Sequence, residues 1–188
     1  MSLLKSCAII GLGNPGESYR WTRHNAGKIF LDNLAKDFNI ALDQRKDAIL
    51  WGEGKIEDLK IFLAFPETYM NLSGRVVPWL KQKNVGLPDR VLILSDDINL
   101  SLGTLRYREG GSAGGQKGLL SIIQAAGSDR IARIRIGVGS PPIGVDLSHY
   151  VLEQIPHAER ESLVLAWKPF REIVDRWLLS MRKASLEA

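Results

Sequence analysis

Of the three histidines, His24 is the one placed for chemistry, in the segment Arg23-His24-Asn25-Ala26-Gly27, between an irregular stretch and the start of a helical pattern. An imidazole with an ordinary pKa of about 6.5 takes and gives protons near neutrality, as a general base must. The segment also fits a plainer reading, with Asn25 capping the next helix and His24 merely adjacent. His149 and His157 lie in polar, turn-like sequence and read as surface residues. Asp96 and Asp97 close the apolar run Val91-Leu92-Ile93-Leu94-Ser95. A carboxylate at the end of a buried strand points into the crevice where α/β sheets bind ligands, and it can hold an imidazole in one tautomer. A turn-forming Asp-Asp pair is the alternative.

Other chemistries find little support. No serine sits in a G-x-S-x-G elbow, and Cys7, the only cysteine, lies inside an apolar run, so no covalent nucleophile is indicated. A single cysteine also excludes an intrachain disulfide. Histidines and cysteines do not cluster at metal-ligand spacing, so no metal and no cofactor are expected. Gly11-Leu12-Gly13-Asn14-Pro15-Gly16 literally matches a dinucleotide fingerprint, but Glu17 to Arg23 lacks the helical apolar stripe that would bring a helix N-terminus to a pyrophosphate. The expectation is a tight turn that exposes the Asn14 side chain.

Gly110 to Gly118 forms a second glycine-rich loop, with Gln116 where a P-loop needs lysine. It is either a flexible connection or a place where a ligand approaches the backbone. Asn71, in Pro66-Glu67-Thr68-Tyr69-Met70-Asn71-Leu72-Ser73-Gly74, could orient a ligand, though spacing alone favours a helix cap.

These residues need a scaffold. Apolar, β-rich runs at 7–12, 60–65 and 90–95 are each followed by turn residues and then by helical patterns at 25–38, 72–81 and 119–126, the last closed by Gly127. The stretch 156–183 reads as a long amphipathic helix broken near Pro169. Alternation along 104–108 puts Arg106 and Arg108 on one face of a strand, and 132–136 does the same for Arg133 and Arg135. Each pair could be a solvated face, or together they could grip phosphate. Strands alternating with helices predict a single α/β domain over 1–188, with a twisted mixed sheet flanked by helices.

Composition agrees. Hydrophobic residues make up 45% and charged residues 24%, ordinary globular usage with enough apolar surface for a core. No apolar run reaches the roughly 18–20 residues that span a bilayer. Residues 1–6 lack the apolar stretch of a signal peptide, so the cytoplasm is the expected compartment and no membrane partner is expected. A net charge of +4 permits a polyanionic partner without requiring one.

Taken together, these segments resemble the bacterial-type peptidyl-tRNA hydrolase family. The resemblance rests on Gly11 to Gly16, Arg23 to Gly27, Thr68 to Gly74, Ser95-Asp96-Asp97, the second glycine loop, and Arg133-Ile134-Arg135-Ile136-Gly137-Val138-Gly139, in family order over nearly the whole chain. It implies a monomeric mixed-sheet enzyme that cleaves the ester joining a peptide to the 3′-terminal ribose of transfer RNA. In that reading His24 activates water, Asp96 orients His24, and Asn71 positions water or substrate. Asn14 selects peptidyl-tRNA over free aminoacyl-tRNA. Tyr19 and Tyr69 contact tRNA, and Arg108 and Arg135 grip a tRNA phosphate. The family often carries Gly-Gly-His-Asn-Gly in its glycine loop, where this chain has Gly114-Gly115-Gln116-Lys117-Gly118. Charged Lys117 cannot accept a hydrogen bond as asparagine does. Two alternatives follow: a non-catalytic RNA-binding relative of the same fold, and a dinucleotide-dependent enzyme built on Gly11, Gly13 and Gly16.

Overall fold

The computed structural model describes residues 6–186, so the expectation for the leading residues 1–5 lies outside the described residues. Seven strands form one mixed sheet in the order β2-β3-β4-β1-β5-β7-β6. These are β1 (Ser6–Gly11), β2 (Gln44–Lys46), β3 (Ile49–Ile56), β4 (Leu59–Pro66), β5 (Val91–Asp97), β6 (Leu105–Arg108) and β7 (Ala132–Gly137). The four central strands, β4-β1-β5-β7, run parallel, while β2, β3 and β6 attach antiparallel at the edges. Parallel strands are covered on both faces, and the near-continuous apolar runs of β1, β4 and β5 reflect that.

The period of two splits each strand between two cores. Cys7 and Ile9 of β1, with Leu92 and Leu94 of β5, face α1 (Ala26–Asp37) and the carboxyl-terminal helices. Ala8, Ile10, Val91 and Ile93 face α2 (Val76–Gln82) and α3 (Lys117–Ala126). Two further helices, α5 (His157–Leu165) and α6 (Trp167–Leu186), close the first face. Phe170, Val174, Trp177 and Leu178 of α6, one helical stripe, are all buried there.

The expected break in the carboxyl-terminal helix comes earlier than Pro169. The chain turns at Ala166, and Pro169 sits in the first turn of α6, where its missing N–H has no intrahelical acceptor to serve. The helix expected at 72–81 begins as a 3-10 turn, Met70–Arg75, before α2. The short helix α4 (Leu147–Leu152) and the strands β2 and β3 were not anticipated.

Parallelism has one consequence for function. Gly11, Pro66, Asp97 and Gly137 all end strands at the same edge of the sheet. The loops that leave them converge there, in the usual crevice of such sheets.

Candidate active site

A cavity of about 660 Å³ opens at that edge, lined by residues that include Asn14, His24, Asn71, Asp96, Lys117 and Arg135. Tyr19, Tyr69, Met70 and Gln116 complete its inner wall, and Leu147, Val151 and Leu152 of α4 supply an apolar side. A second groove, of about 730 Å³ on the outer side of α1, contains the Lys28–Asp32 ion pair but no converging base and acid.

His24 lies in a 3-10 turn, Arg23–Asn25, immediately before α1. Its Nδ1 is 2.8 Å from Asp96 Oδ2, with 13% of the His24 side chain exposed and 4% of Asp96. Asp96 accepts at Nδ1 when that nitrogen carries the proton, which leaves Nε2 with a lone pair. The turn is held from below by Arg23, which is buried. Its guanidinium donates to the Val138 carbonyl (2.9 Å), pairs with Glu159 (2.9 Å) and stacks on Tyr150 at 4.5 Å. Tyr150 in turn donates to the same carbonyl (3.1 Å), and burial pushes its hydroxyl pKa up.

Asn25 does not cap α1 with its side chain. It clasps the backbone of Asn14 instead: Oδ1 accepts from Asn14 N (2.9 Å) and Nδ2 donates to Asn14 O (3.0 Å). Asn14 itself is buried rather than exposed as expected, because Oδ1 accepts from Met70 N at 2.8 Å. One asparagine thus ties the loop after β1 to the loop after β4. Asn71 is exposed and lines the cavity. The expected cap role fails, since the N-cap positions of the 3-10 turn and of α2 belong to Tyr69 and Arg75.

Gln116, absent from the candidate residues read from sequence, caps α3. Its Oε1 accepts from Leu119 N (2.7 Å) while its Nε2 donates to Asp96 Oδ1 (2.9 Å). Lys117 is the first residue of α3 and is exposed at the cavity. Two signals could have flagged Gln116: its place at the histidine of the Gly-Gly-His-Asn-Gly pattern that the loop resembles, and the spacing of a cap three residues before Leu119, although glutamine is a rare cap.

The four arginines share one face, as period two requires, with Arg106 across from Arg135 and Arg108 across from Arg133. Their fates differ. Arg135 lines the cavity, with Nε 2.8 Å from Asp97 Oδ2. Arg108 is exposed and does not line it. Arg133 is buried and spends its donors on the carbonyls of Ile131, Asp129, Gly111 and Ser112. Burial lowers its pKa, an ordinary effect for an interior cation. On the far wall Asp146 caps α4, and hydrogen bonds from Ser148 hold its carboxyl below the usual range.

The family model described as peptidyl-tRNA hydrolase matches residues 8–187 of the chain. Among curated relatives, "Peptidyl-tRNA hydrolase" of Carboxydothermus hydrogenoformans is 48% identical over 159 residues, covering 82% of each chain. The protein of the same name from Brevibacillus brevis is 44% identical over 155 residues, again 82% of each. A crystal structure of peptidyl-tRNA hydrolase from Acinetobacter baumannii superposes with a TM-score of 0.85 at 33% identity, covering 100% of this chain and 94% of that one.

Proposed function

From the premise that this chain belongs to the peptidyl-tRNA hydrolase family and hydrolyses the ester of peptidyl-tRNA, we propose that His24 is the base that activates the attacking water. The observation that carries this reading is the 2.8 Å pairing of His24 Nδ1 with buried Asp96 at the mouth of the cavity. Asp96 fixes the tautomer and stabilises the imidazolium that forms when Nε2 takes a proton from water. Neither a nucleophile nor a cofactor is needed in this scheme, because a positioned water can attack an ester carbonyl directly. General-base assistance of this kind is worth roughly 10²–10⁴-fold in rate.

The remaining roles follow from position. Asn71, exposed on the cavity wall, positions water or the reacting carbonyl. Asn14 has Oδ1 committed to Met70, so its Nδ2 is the end available to a peptide carbonyl; this is a means to favour peptidyl-tRNA over free aminoacyl-tRNA. Tyr19 and Tyr69 flank the cavity and suit the 3′-terminal nucleotides. Arg135 reaches the cavity with its terminal nitrogens beyond the Asp97 pairing and serves phosphate. Arg108 adds charge farther along the same face, and Lys117 supplies a cation at the rim. The soluble substrate is consistent with the absence, among the described residues, of any helix long and apolar enough to cross a membrane. We further propose that the chain acts in the cytoplasm as a monomer, with 1–188 as one domain.

The test follows ester loss from N-blocked aminoacyl-tRNA, with free aminoacyl-tRNA as control. His24→Ala is expected to lower kcat by two or more orders of magnitude while tRNA binding persists. Near-parental hydrolysis by that variant would remove His24 from the mechanism. A non-catalytic RNA-binding relative would show no ester loss even in the parent protein.

A further inference from the structure

We infer that Gln116 is a positioning residue for the reaction, acting through Asp96 on the base His24; the inference rests on the role proposed for His24 above. The argument begins with the polarity of an amide, one end acceptor and the other donor. Gln116 Oε1 accepts the Leu119 N–H at the start of α3, at 2.7 Å. With Oε1 so engaged, Nε2 must turn toward Asp96 Oδ1, at 2.9 Å, and its second hydrogen meets Met70 Sδ at 3.2 Å. The flipped amide would set an oxygen against a carboxylate and an NH₂ against an N–H. The two neighbours therefore leave one orientation only.

Asp96 is thus gripped from both faces of the sheet. His24, preceding α1, takes Oδ2, and Gln116, preceding α3, takes Oδ1. A carboxylate with both oxygens engaged cannot rotate away from the imidazole, so Nε2 keeps its aim. The Gln116 donor also shares Asp96's negative charge, which moderates the carboxylate's hold on a proton at His24. Loss of that donor leaves the charge concentrated on the side of His24, so the imidazole keeps its proton to higher pH and the active neutral form appears later. Partners of this kind typically contribute about 10–100-fold when they orient a functional imidazole or carboxylate.

Two variants separate this role from helix capping. Gln116→Ser keeps a good neutral N-cap for α3 but is too short to reach Asp96. Gln116→Met keeps the length and removes all three hydrogen bonds of the amide, so its missing cap is read in Tm while the folded enzyme reports on Asp96. The other titratable groups around the cavity, Asp97, Arg135, Lys117, Asp146, Tyr19 and Tyr69, stay the same in both. With N-blocked aminoacyl-tRNA as substrate, each variant is expected to lose roughly tenfold or more in kcat at unchanged KM. In each, the acid limb of the kcat/KM profile should move to higher pH. In a His24→Ala background neither substitution should lower the residual rate further.

Parental kcat and acid limb in both variants would overturn the inference, as would a loss of kcat with the acid limb in place, since that would be mere structural damage. If His24→Ala is inactive and the Gln116 variants are parental, the Gln116 role alone fails. If His24→Ala is active, the reading beneath it fails.

Discussion

The two glycine-rich loops put glycine to different uses, at Gly11 and Gly13 in one and at Gly111 and Gly115 in the other. In the first, an added Cβ at Gly11 would lie 2.7 Å from both the Gly27 carbonyl and Leu31 Cβ, and one at Gly13 would lie 2.9 Å from the Asn25 side chain. Glycine there makes room for α1 to press against β1. In the second loop, a Cβ at Gly111 or Gly115 would meet nothing within 4 Å, yet both have positive φ, +111° and +86°. Glycine there lets the chain turn. The first loop is therefore part of the core and holds Asn14 rigidly. The second is tied at its base, by Arg133 and by the Gly111 N–H on the Asp129 carbonyl, and at its end, where Gln116 begins α3. Glycine count alone does not distinguish a packed loop from a turning one. What differs is the neighbour.

Perturbing each loop by its own mechanism tests the contrast. The largest effect is expected from Gly11→Ala, which overpacks the strand–helix contact at a cost of about 3 kcal/mol. Differential scanning calorimetry should show Tm falling by about 6–12 °C, by the usual scaling for a domain of this size. A fall of only a degree or two would mean that α1 shifts freely and the first loop is no more rigid than the second.

Arg133→Met comes next. It strips hydrogen bonds from four carbonyls, that of buried Ile131 and those of Asp129, Gly111 and Ser112, for about 2 kcal/mol. Amide exchange should quicken over residues 110–115 and not over 11–16. Quickening in both loops would show that they are one unit.

Gly115→Ala should cost about 1 kcal/mol, from left-handed backbone strain alone, with no steric part. A cost as large as that of Gly11→Ala would mean that a neighbour closes over the second loop in solution.

The last effect is absent near neutral pH and concerns the strand that feeds the first loop. Burial pushes the Cys7 thiol from 9.0 up to about 12. Above pH 9 the unfolded chain ionises this group and the folded one does not, so stability present below 9 is lost progressively toward 12. Cys7→Ala should flatten the alkaline decline of Tm. An unchanged decline would show that water reaches β1.

Much of this molecule was legible because its period was. The central strands β1, β4 and β5 are buried almost throughout and read as apolar runs, while β7 reads as an alternating strand with a basic face. The arginine pairs were placed on one face correctly from alternation. The edge strands were not legible. Gly52, Glu53 and Gly54 interrupt β3, and the turn into it uses Asp47 and Ala48 at φ of 54° and 59°, where the usual signal is Asn-Gly. Asn14, Asn25 and Asn71 were read as local turn or cap residues. Their local partners lost to distant ones in two cases, Met70 for Asn14 and the Asn14 backbone for Asn25.

The sequence by itself determined the fold class and the family, and it nominated His24, Asp96, Asn14 and Asn71 as candidates, because residue type and order are enough to state which chemistry is available. Only the tertiary structure decided how that chemistry is assembled. His24 and Asp96 stand 72 positions apart and meet at 2.8 Å, and Gln116, invisible as a candidate, closes the other side of the same carboxylate. The physical reason is that parallel strands deliver their ends to one edge, whereas the direction of a hydrogen bond there depends on which helix, from which face, happens to begin beside it.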